Sequence, residues 1–518
     1  MVTNDKKIKT KITRFGYVIN KKYIDDYELS KIKKDLTVTP FKLGKFNKFA
    51  KNTSFTTYVE NGDYIGIPKY YGLENIGEPD INKVDTYNFP IQNMKYTGKL
   101  RPHQEIVVEK MVKGFAEHGG GVLVLGCGSG KTNIAIYLAC KYKLRTLFVV
   151  HKTFLKNQVI DRIKTNTNVK EIGIIQSKTV KYKFPFVVGM VQSLSKIDYD
   201  DEIFKDFGMV IIDEVHHMGA KNFSKLYQKI STKYMLGISA EHNRNDGMYK
   251  IINWYMGPIL HMEEQKPNDQ VIVKRFNYKT SNKDRIKLIK NNFDEPNRSA
   301  MVTNLVYIKW RNRFILNLIK QLYDQGKNIL FLSGRLKQIN LLYKLLDNDE
   351  YIKGNVGKYV GGMTEENLKS SSQKQIILGS YGMAEEGLDI ENLNVVILGT
   401  PKSAIKQSVG RILRKEVYEE HPIVIDIIDV DNPVFKKQSC TRERYYNKQH
   451  YNIQNFDIAD YHLKNYHIWN DDKFLSKALT QIPEKNSKKN NRKNRKNNKT
   501  FAKPINVDDI MFMESDSE

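Results

Sequence analysis

A glycine-rich heptapeptide, GCGSGKT, occupies residues 126–132 between an apolar run and a helical pattern. Glycines let backbone N–H groups point inward around an anion, and the N-terminus of the next helix adds a positive dipole end. In such a loop Lys131 would reach the β- and γ-phosphates of ATP, and the Thr132 hydroxyl would ligate Mg²⁺. The strict pattern has a glycine five positions before Gly130, where this chain has Leu125. The expected nucleotide-binding residues of the loop are Gly126, Cys127, Gly128, Ser129, Gly130, Lys131 and Thr132.

A second chemical segment is DEVHH, residues 213–217, which ends the apolar run MVII. A carboxylate at the C-terminal edge of a parallel strand lies where such sheets bind their ligands. We expect Asp213 to hold Mg²⁺ and Glu214 to orient or deprotonate the attacking water. A metal pair formed by the two histidines is disfavoured, because adjacent residues point opposite ways on an extended strand end.

The third segment is QSVGRILR, residues 407–414. On a helix, Gln407, Arg411 and Arg414 are spaced i, i+4, i+7 and share one face. Phosphoryl transfer spreads negative charge over the γ-phosphate, and arginines from a neighbouring domain can stabilise that charge. We therefore expect this face to look into a cleft between two domains. The alternative is that the arginines are ordinary surface or DNA-contact residues.

Short β-branched runs alternate with amphipathic stretches, which predicts parallel sheets covered by helices. The first series of runs is 121–126, 146–151, 184–194, 209–215 and 234–239. The second series is 328–333, 358–362, 375–380, 394–400 and 423–429. Two series predict two α/β domains, and we interpret the stretch with Pro258, Pro267 and Pro296 as their connection.

The rest of the chain lacks this alternation. We interpret 433–484 as a helical extension, whose segment RERYYNKQHYNI could stack bases or form a packed helical face. The expected domains are 1–98, a small accessory domain; 99–262 and 263–432, the two α/β domains; 433–484, the extension; and 485–518, a disordered tail that is first basic and then acidic.

The charge of the chain is unusual. With 84 Lys+Arg against 58 Asp+Glu, the 518 residues have a formal net charge of +26, which favours polyanions such as nucleic acid. Residues 485–500 carry eight basic residues and no acid. We expect this tail to tether nucleic acid, with a nuclear-targeting signal or an inert charge run as alternatives.

The composition also indicates in which cellular compartment the protein is expected. The three cysteines form no CxxC pair, which argues against disulfides and a zinc site and favours a reducing compartment. No apolar run reaches the length of a membrane span, and the N-terminus lacks the apolar core of a signal peptide. We expect a cytoplasmic protein without a membrane partner, with the nucleus as the alternative.

Taken together, GCGSGKT, DEVHH and QSVGRILR resemble motifs I, II and VI of the DExH-type superfamily 2 helicases. Further motifs follow in family order: LRPHQ (100–104) resembles the adenine-reading Q motif, FVVHKTFLKNQ (148–158) motif Ia, VQSLSK (191–196) the next DNA-contact motif, LFLSGR (330–335) motif IV, and YGMAEEGLDI (381–390) motif V. The resemblance implies that Gln104 reads the adenine, and that Gly387 and Asp389 approach the nucleotide. It covers roughly residues 99 to 430 and is nearest to the transcript-release helicases of large DNA viruses, which group with phage branched-DNA and XPB-type helicases.

The resemblance implies two tandem RecA-like domains with a small N-terminal domain and a helical, basic C-terminal extension. It implies an ATP- and Mg²⁺-dependent motor on nucleic acid, DNA rather than RNA, in viral transcription or DNA metabolism. It also suggests transcription machinery as a partner and a viral factory or virion as the location. The alternatives are an RNA helicase, a translocase that displaces proteins or transcripts without unwinding, and a binding module without catalysis, against which the intact motif residues argue.

One motif departs from the family pattern. GISAEHNRNDG, residues 237–247, has Glu241 and His242 where the family has Thr-Pro. In relatives this motif links the ATP site to strand movement. We therefore expect ATP turnover to be retained and strand separation to be affected. A carboxylate near the γ-phosphate needs a cationic partner, so we expect Glu241 to close an ion pair across the domains in one nucleotide state.

Overall fold

The computed structural model describes three main sheets and the helices around them. It describes residues 9–40, 54–86, 90–126, 128–219, 224–241, 246–263, 267–388, 390, 392–413, 418–460 and 473–480. The described residues up to Leu479 belong to one compact unit. No helix within the described ranges is both long and apolar enough to cross a membrane. The expected tail, 485–518, lies outside the described residues.

The N-terminal part forms a small, mostly antiparallel sheet. Its elements are β1 Thr10–Thr13, β2 Gly16–Asn20, α1 Asp26–Asp35, β3 Thr37–Val38, β4 Phe55–Thr56, β5 Val59–Asn61, β6 Tyr64–Ile67, α2 Lys69–Asn75 and β7 Ile81–Asn82. The sheet order is β5-β6-β2-β1-β7, and β3 pairs separately with β4. Gly16 has φ 92°, and a Cβ there would lie 2.4 Å from the carbonyl oxygen of Ile67, so the turn between β1 and β2 requires glycine.

The first large sheet contains eight strands. They are β8 Gly120–Val124, β9 Thr146–Val150, β10 Gly173–Gln176, β11 Thr179–Lys181, β12 Phe186–Met190, β13 Met209–Asp213, β14 Tyr234–Ser239 and β15 Ile259–Met262. Their order is β11-β10-β12-β9-β13-β14-β8-β15, parallel except for the β10–β11 pair. The helices are α3 Pro102–His118, α4 Lys131–Tyr142, α5 Thr153–Asn166, α6 Val191–Lys196, α7 Asp201–Lys205 and α8 Tyr249–Met256. Separate apolar cores on the two faces explain why the strands are continuous apolar runs.

The second large sheet is parallel throughout. Its strands are β16 Ile272–Lys279, β17 Ile329–Ser333, β18 Val356–Tyr359, β19 Ile376–Ser380, β20 Val395–Leu398, β21 Ile423–Asp429 and β22 Asn452–Ala459. Their order is β18-β19-β17-β20-β21-β16-β22. The helices are α9 Lys283–Ile286, α10 Arg298–Leu305, α11 Lys309–Asp324, α12 Leu336–Asp347, α13 Glu365–Ser372, α14 Tyr381–Gly387, α15 Lys406–Val409, α16 Pro433–Lys448 and α17 Lys473–Thr480. Each of the ten apolar runs overlaps a strand, so the predicted pair of parallel α/β domains is confirmed.

Two strands of the second sheet lie where the sequence predicted something else. β16 falls in the stretch interpreted as the connection, and β22 falls in the extension interpreted as helical. β16 pairs with β21 on one side and with β22 on the other. Both strands contain polar residues that interrupt any apolar run, and these residues pair across the strands. Lys274 Nζ donates to Gln454 Oε1 at 3.0 Å, and Asn277 Nδ2 donates to Asp457 Oδ1 at the same distance.

Helix α16 settles the alternatives for part of the segment RERYYNKQHYNI. Arg442 is 2% exposed, and its Nε and Nη2 atoms lie 3.0 and 2.8 Å from Asp426 Oδ1. Tyr446 is fully buried and donates to the same carboxylate at 3.2 Å. These two side chains therefore belong to a packed helical face and are not placed to stack bases.

The N-terminal sheet is attached to the first large domain. Arg14 Nη1 donates to the carbonyl oxygen of Lys229 at 3.0 Å, and Lys69 Nζ donates to that of Lys233 at 3.2 Å. The rings of Tyr71 and Trp254 meet edge to face at 5.6 Å. These contacts join the accessory domain to the elements that precede and follow β14.

Candidate active site

The glycine loop runs from the end of β8 to the start of α4. Gly128 and Gly130 have φ values of 82° and 79°, which L side chains rarely adopt. A Cβ at Gly130 would also lie 2.1 Å from Gln104 Nε2. Position 130 therefore requires glycine for two reasons, its positive φ and the close approach of Gln104. The expected nucleotide-binding residue Cys127 lies outside the described residues.

Lys131 folds across this loop. Its Nζ atom donates to the carbonyl oxygens of Leu125 at 3.1 Å and Gly126 at 3.3 Å. These neutral acceptors hold the ammonium group over the loop, at the N-terminus of α4. Phosphate oxygens would be stronger, charged acceptors for the same group.

Gln104 braces the loop from helix α3. Its Oε1 accepts from the backbone N–H of Arg101 and its Nε2 donates to the carbonyl oxygen of Ser129, both at 2.9 Å. The residue is only 2% exposed. The oxygen and the nitrogen of the Gln104 amide are thus both hydrogen-bonded to the protein backbone. Recognition of an adenine by Gln104 stays a prediction. A further tie is Arg101 Nη1, which donates to the carbonyl oxygen of Gly128 at 3.5 Å.

Asp213 and Glu214 lie where β13 ends. Glu214 turns the chain with φ 47°, and its backbone N–H donates to Asp213 Oδ1 at 3.0 Å. Burial and the charge of Glu214 raise the pKa of Asp213 to about 6. Burial would also raise the pKa of Glu214, but a hydrogen bond from His216 and the charge of Lys131 lower it to about 2. Glu214 is therefore ionised at neutral pH and can accept a proton or orient a water.

The residues expected to hold Mg²⁺ supply a hard oxygen donor set. Thr132 and Asp213 contribute a hydroxyl and a carboxylate, and no group of three or more His, Cys, Asp or Glu residues in the described ranges could form a metal cage. Mg²⁺ commonly takes one or two protein oxygens together with phosphates and waters, so this sparse set fits it. Arg162 Nη1 of α5 donates to Thr132 Oγ1 at 2.9 Å, and its charge also lowers the pKa of Asp213.

A chain of close polar contacts leads from Glu214 to Glu241, in the motif that departs from the family pattern. His216 Nδ1 lies 3.3 Å from Glu214 Oε2 and 2.8 Å from Ser239 Oγ. Ser239 Oγ donates to the carbonyl oxygen of Glu241 at 2.6 Å and accepts from its backbone N–H at 3.0 Å. The candidate catalytic carboxylate and residue 241 are thus joined through two side chains.

The path continues into the second domain. Gln407 Nε2 of α15 donates to Glu241 Oε1 at 3.4 Å. Beside it, Lys406 Nζ donates to the carbonyl oxygen of Ala240, also at 3.4 Å. Within the described residues, the side chain that contacts the Glu241 carboxylate is therefore an amide, whereas the sequence led us to expect a cation. His242 lies outside the described residues.

The helix expected to carry Gln407, Arg411 and Arg414 on one face is shorter than predicted. α15 ends at Val409, Gly410 is its C-cap, and Arg411 lies in the following turn. Glycine is a poor helix former, which accounts for the early end. The prediction that Arg411 shares a helical face with Gln407 is therefore wrong. Arg411 Nη1 donates to the carbonyl oxygen of Leu388 at 2.8 Å, and Arg414 lies outside the described residues.

The segment that resembles motif V contacts α15 through a residue that the sequence analysis did not select. Glu385 of α14 accepts from Ser408 Oγ and pairs with Lys402 Nζ. Gly387 is the last residue of α14, and Asp389 lies outside the described residues. Glu385 thus fixes the start of α15 relative to α14.

Sequence reasoning also missed Arg162 and the bond between His216 and Ser239. The partners are 30 and 23 residues apart, so no local spacing could reveal them. His216 itself was visible in DEVHH, but only as a candidate metal ligand. A search for polar partners at the ends of neighbouring strands, such as β13 and β14, would have found the second contact.

Comparison with known proteins gives the geometry its context. Residues 97–244 match the family described as Type III restriction enzyme, res subunit. A protein of Acanthamoeba polyphaga mimivirus, named as the ATP-dependent RNA helicase L396, is 67% identical over 515 residues, 98% of this chain and 99% of that protein. An African swine fever virus protein, named as the ATP-dependent RNA helicase QP509L, is 26% identical over 454 residues, 82% of this chain and 87% of that one.

Among solved structures, Mss116p bound to single-stranded RNA and AMP-PNP is similar in fold. It aligns with a TM-score of 0.50 and 14% identity over 74% of this chain and 78% of that one. At this sequence identity, the similarity supports only the fold, which is a pair of RecA-like domains. The identity to the mimivirus protein over nearly the full length of both chains carries the assignment. The chain belongs to the superfamily 2 helicases, a family of ATP-dependent enzymes with members in several viruses.

Proposed function

We propose that the chain is an ATP- and Mg²⁺-dependent motor that moves on DNA. ATP hydrolysis in the cleft between the two parallel-sheet domains would drive that movement. The observation that carries the proposal is the path from Glu214 through His216, Ser239 and Glu241 to Gln407. It connects the candidate catalytic carboxylate in one domain to a side chain of the other.

Each residue has a defined part in this proposal. Lys131 and the N–H groups of the glycine loop bind the phosphates, and Thr132 and Asp213 would hold Mg²⁺, which polarises the phosphoryl oxygens. Glu214, ionised at neutral pH, accepts a hydrogen bond from the attacking water and then its proton. The second domain would supply Gln407, Arg411 and Arg414 to the developing negative charge.

The hinge cycle follows from where these groups lie. ATP would join the domains because its phosphates contact both, and hydrolysis would release them. The contacts of Lys406 and Gln407 with Ala240 and Glu241 would then form and break once per cycle. A strand bound across both domains would be handed from one to the other.

DNA is the proposed substrate, and RNA is the second candidate. The match of residues 97–244 to a restriction-enzyme subunit supports DNA. The names of the mimivirus and African swine fever virus relatives support RNA. Backbone contacts dominate in such motors, so the core motifs do not discriminate between the two polymers.

The direct test is the rate of ATP hydrolysis by the purified chain with single-stranded DNA, duplex DNA, forked DNA, RNA and RNA–DNA hybrid in parallel. We expect DNA to stimulate turnover most strongly. If RNA alone stimulates ATP hydrolysis, RNA is the substrate and the proposal of DNA is wrong. No stimulation by any of the five polymers would contradict the motor itself.

The basic tail gives a prediction about nucleic-acid binding. Truncation after Glu484 removes the eight basic residues of 485–500 and should weaken binding without sequence preference. Released counterions give a log–log salt slope of about −0.9 per neutralised phosphate on duplex DNA, so we expect a slope shallower by roughly two to five units. The measurement is duplex affinity at several salt concentrations.

A second truncation after Thr500 is the matched control, because it removes the acidic end and keeps those basic residues. It should leave the slope as steep as in the full chain, or steeper. An unchanged slope after the longer truncation would assign the tail to targeting or to no binding role.

A further inference from the structure

A segment outside all the motifs lies at the carboxyl edge of the second sheet. Residues 281–308 follow β16 and contain α9 and α10. Ile286, Met301 and Leu305 pack with Phe435 of α16 in a small separate core. Asn432 Nδ2 adds a hydrogen bond to the carbonyl oxygen of Ile286 at 2.9 Å. The segment is therefore a fixed part of the domain.

The same segment is tied to the motif that resembles motif IV. Arg335, at the end of LFLSGR, donates through Nη2 to Ser299 Oγ at 2.9 Å and through Nε to Thr303 Oγ1 at 2.9 Å. Both acceptors belong to α10. The surface that begins at Arg335 thus continues onto this segment.

Tyr307 stands at the centre of that surface. It is 45% exposed, the Arg285 guanidinium carbon lies 5.2 Å from its ring centroid, and Lys337 Nζ lies 5.5 Å from it. Lys337 Nζ also donates to the Tyr307 hydroxyl at 2.8 Å. The Tyr307 ring therefore contacts two cations from different helices, Arg285 of α9 and Lys337 of α12.

These two cations are not neutralised by carboxylates of the described part of the chain, whereas their neighbours are. Lys283 lies 3.5 Å from Asp431, and Lys287 lies 3.7 Å from Asp284. For Arg285 and Lys337 the contacts between side chains in the described ranges are those with Tyr307. Because Arg285 and Lys337 have no acidic partner in the described ranges, their charges are available to bind an external polyanion.

The location relates this surface to the first domain. Carboxyl ends of parallel strands lie at one edge, and α13, which follows β18 at that edge, contacts the first domain: Asn157 Nδ2 of α5 donates to Glu365 Oε2 at 2.7 Å. Asn157 belongs to the segment that resembles motif Ia. A strand that crosses from α5 onto the second domain would meet the edge on which Lys337 and Arg285 lie.

We propose that Tyr307, Arg285 and Lys337 form a phosphodiester-binding site for the nucleic-acid strand. The ring pre-positions both cations, so that less side-chain entropy is lost when phosphates bind. The site reads backbone charge and not base identity. This inference rests on the proposed function and adds a contact beyond the motifs.

The test is the double substitution Arg285→Gln with Lys337→Gln. Two lost phosphate contacts on a single strand should make the log–log salt slope shallower by about 1.4, which corresponds to roughly 25-fold weaker binding at 0.1 M salt. The measurement is the affinity of the full chain for a fluorescent single-stranded oligonucleotide over a salt series. ATP turnover without nucleic acid should match that of the unsubstituted chain.

The matched control is Lys344→Gln with Lys358→Gln. It removes two charges from the same domain, and Lys358 also lies over a tyrosine ring, at 4.8 Å from Tyr343. The site is overturned if both double variants lose the same affinity and slope. Failure of the unsubstituted chain to bind any strand would overturn the proposed function instead.

Two single substitutions test whether the ring positions the cations. Tyr307→Ala keeps both charges and should weaken binding by a few-fold with little change in slope. Tyr307→Phe keeps the ring and should recover most of that loss. Equal binding by Tyr307→Ala and the unsubstituted chain would remove the tyrosine from the site.

Discussion

Lys131→Ala is expected to lower ATP turnover by at least about a hundredfold, because it removes the cation that we propose to contact the transferring phosphate. The fold should tolerate the change, since the hydrogen bonds of Lys131 Nζ in the described ranges go to two backbone carbonyl oxygens, those of Leu125 and Gly126. Nucleic-acid affinity should stay within about twofold, because most of the positive charge lies elsewhere on the chain. The two measurements are steady-state ATP hydrolysis and equilibrium binding to a fluorescent oligonucleotide.

Lys141→Ala is the matched control for this variant. Lys141 lies at the exposed end of the same helix, so the substitution removes an equal charge from α4 without touching the loop. It should leave turnover unchanged. Substantial residual hydrolysis by Lys131→Ala, above a mock-purified sample, would contradict the assignment of the glycine loop.

The second large effect concerns the replacement of Glu241–His242 by Thr-Pro. Glu241 Oε1 accepts from Gln407 Nε2, and the backbone of Glu241 is held by Ser239. The replacement removes the 3.4 Å hydrogen bond between Gln407 Nε2 and the Glu241 carboxylate from the contact between the domains. We expect ATP turnover to stay within a few-fold while the number of base pairs opened per ATP changes.

Both rates must be measured on one forked duplex under the same conditions. Glu241→Gln separates charge from contact, because its amide can still accept from Gln407. If turnover and displacement change in proportion in the Thr-Pro variant, the departure does not alter coupling. If turnover alone collapses, Glu241 belongs with Glu214 in hydrolysis, and the proposed roles are wrong.

The sequence predicted most of the fold because buried parallel strands are contiguous apolar runs. In the first large sheet it missed the short strands β10, β11 and β15. In the second it missed β16 and β22, whose polar residues are paired with one another inside the sheet. Lys274 is buried, yet it donates to Gln454 Oε1, so the strand is stabilised without looking apolar. Such pairing depends on two segments 180 residues apart and leaves no local pattern.

The site was predictable where its residues are adjacent in sequence. The glycine loop and the pair Asp213–Glu214 follow directly from short patterns at strand ends. The pairing of Gln407 with Glu241 joins residues 166 positions apart, and only the cleft between the domains brings them together. The predicted helical position of Arg411 was wrong for a local reason, because Gly410 ends α15 before Arg411.

We propose that ATP hydrolysis at Glu214 powers movement along nucleic acid. The most direct measurement is displacement of a third strand from a DNA triplex, since this requires movement but no unwinding. The unsubstituted chain should displace the strand only with hydrolysable ATP, and Glu214→Gln should bind both ATP and DNA yet displace nothing. Displacement by Glu214→Gln at the rate of the unsubstituted chain would contradict a role of Glu214 in driving movement.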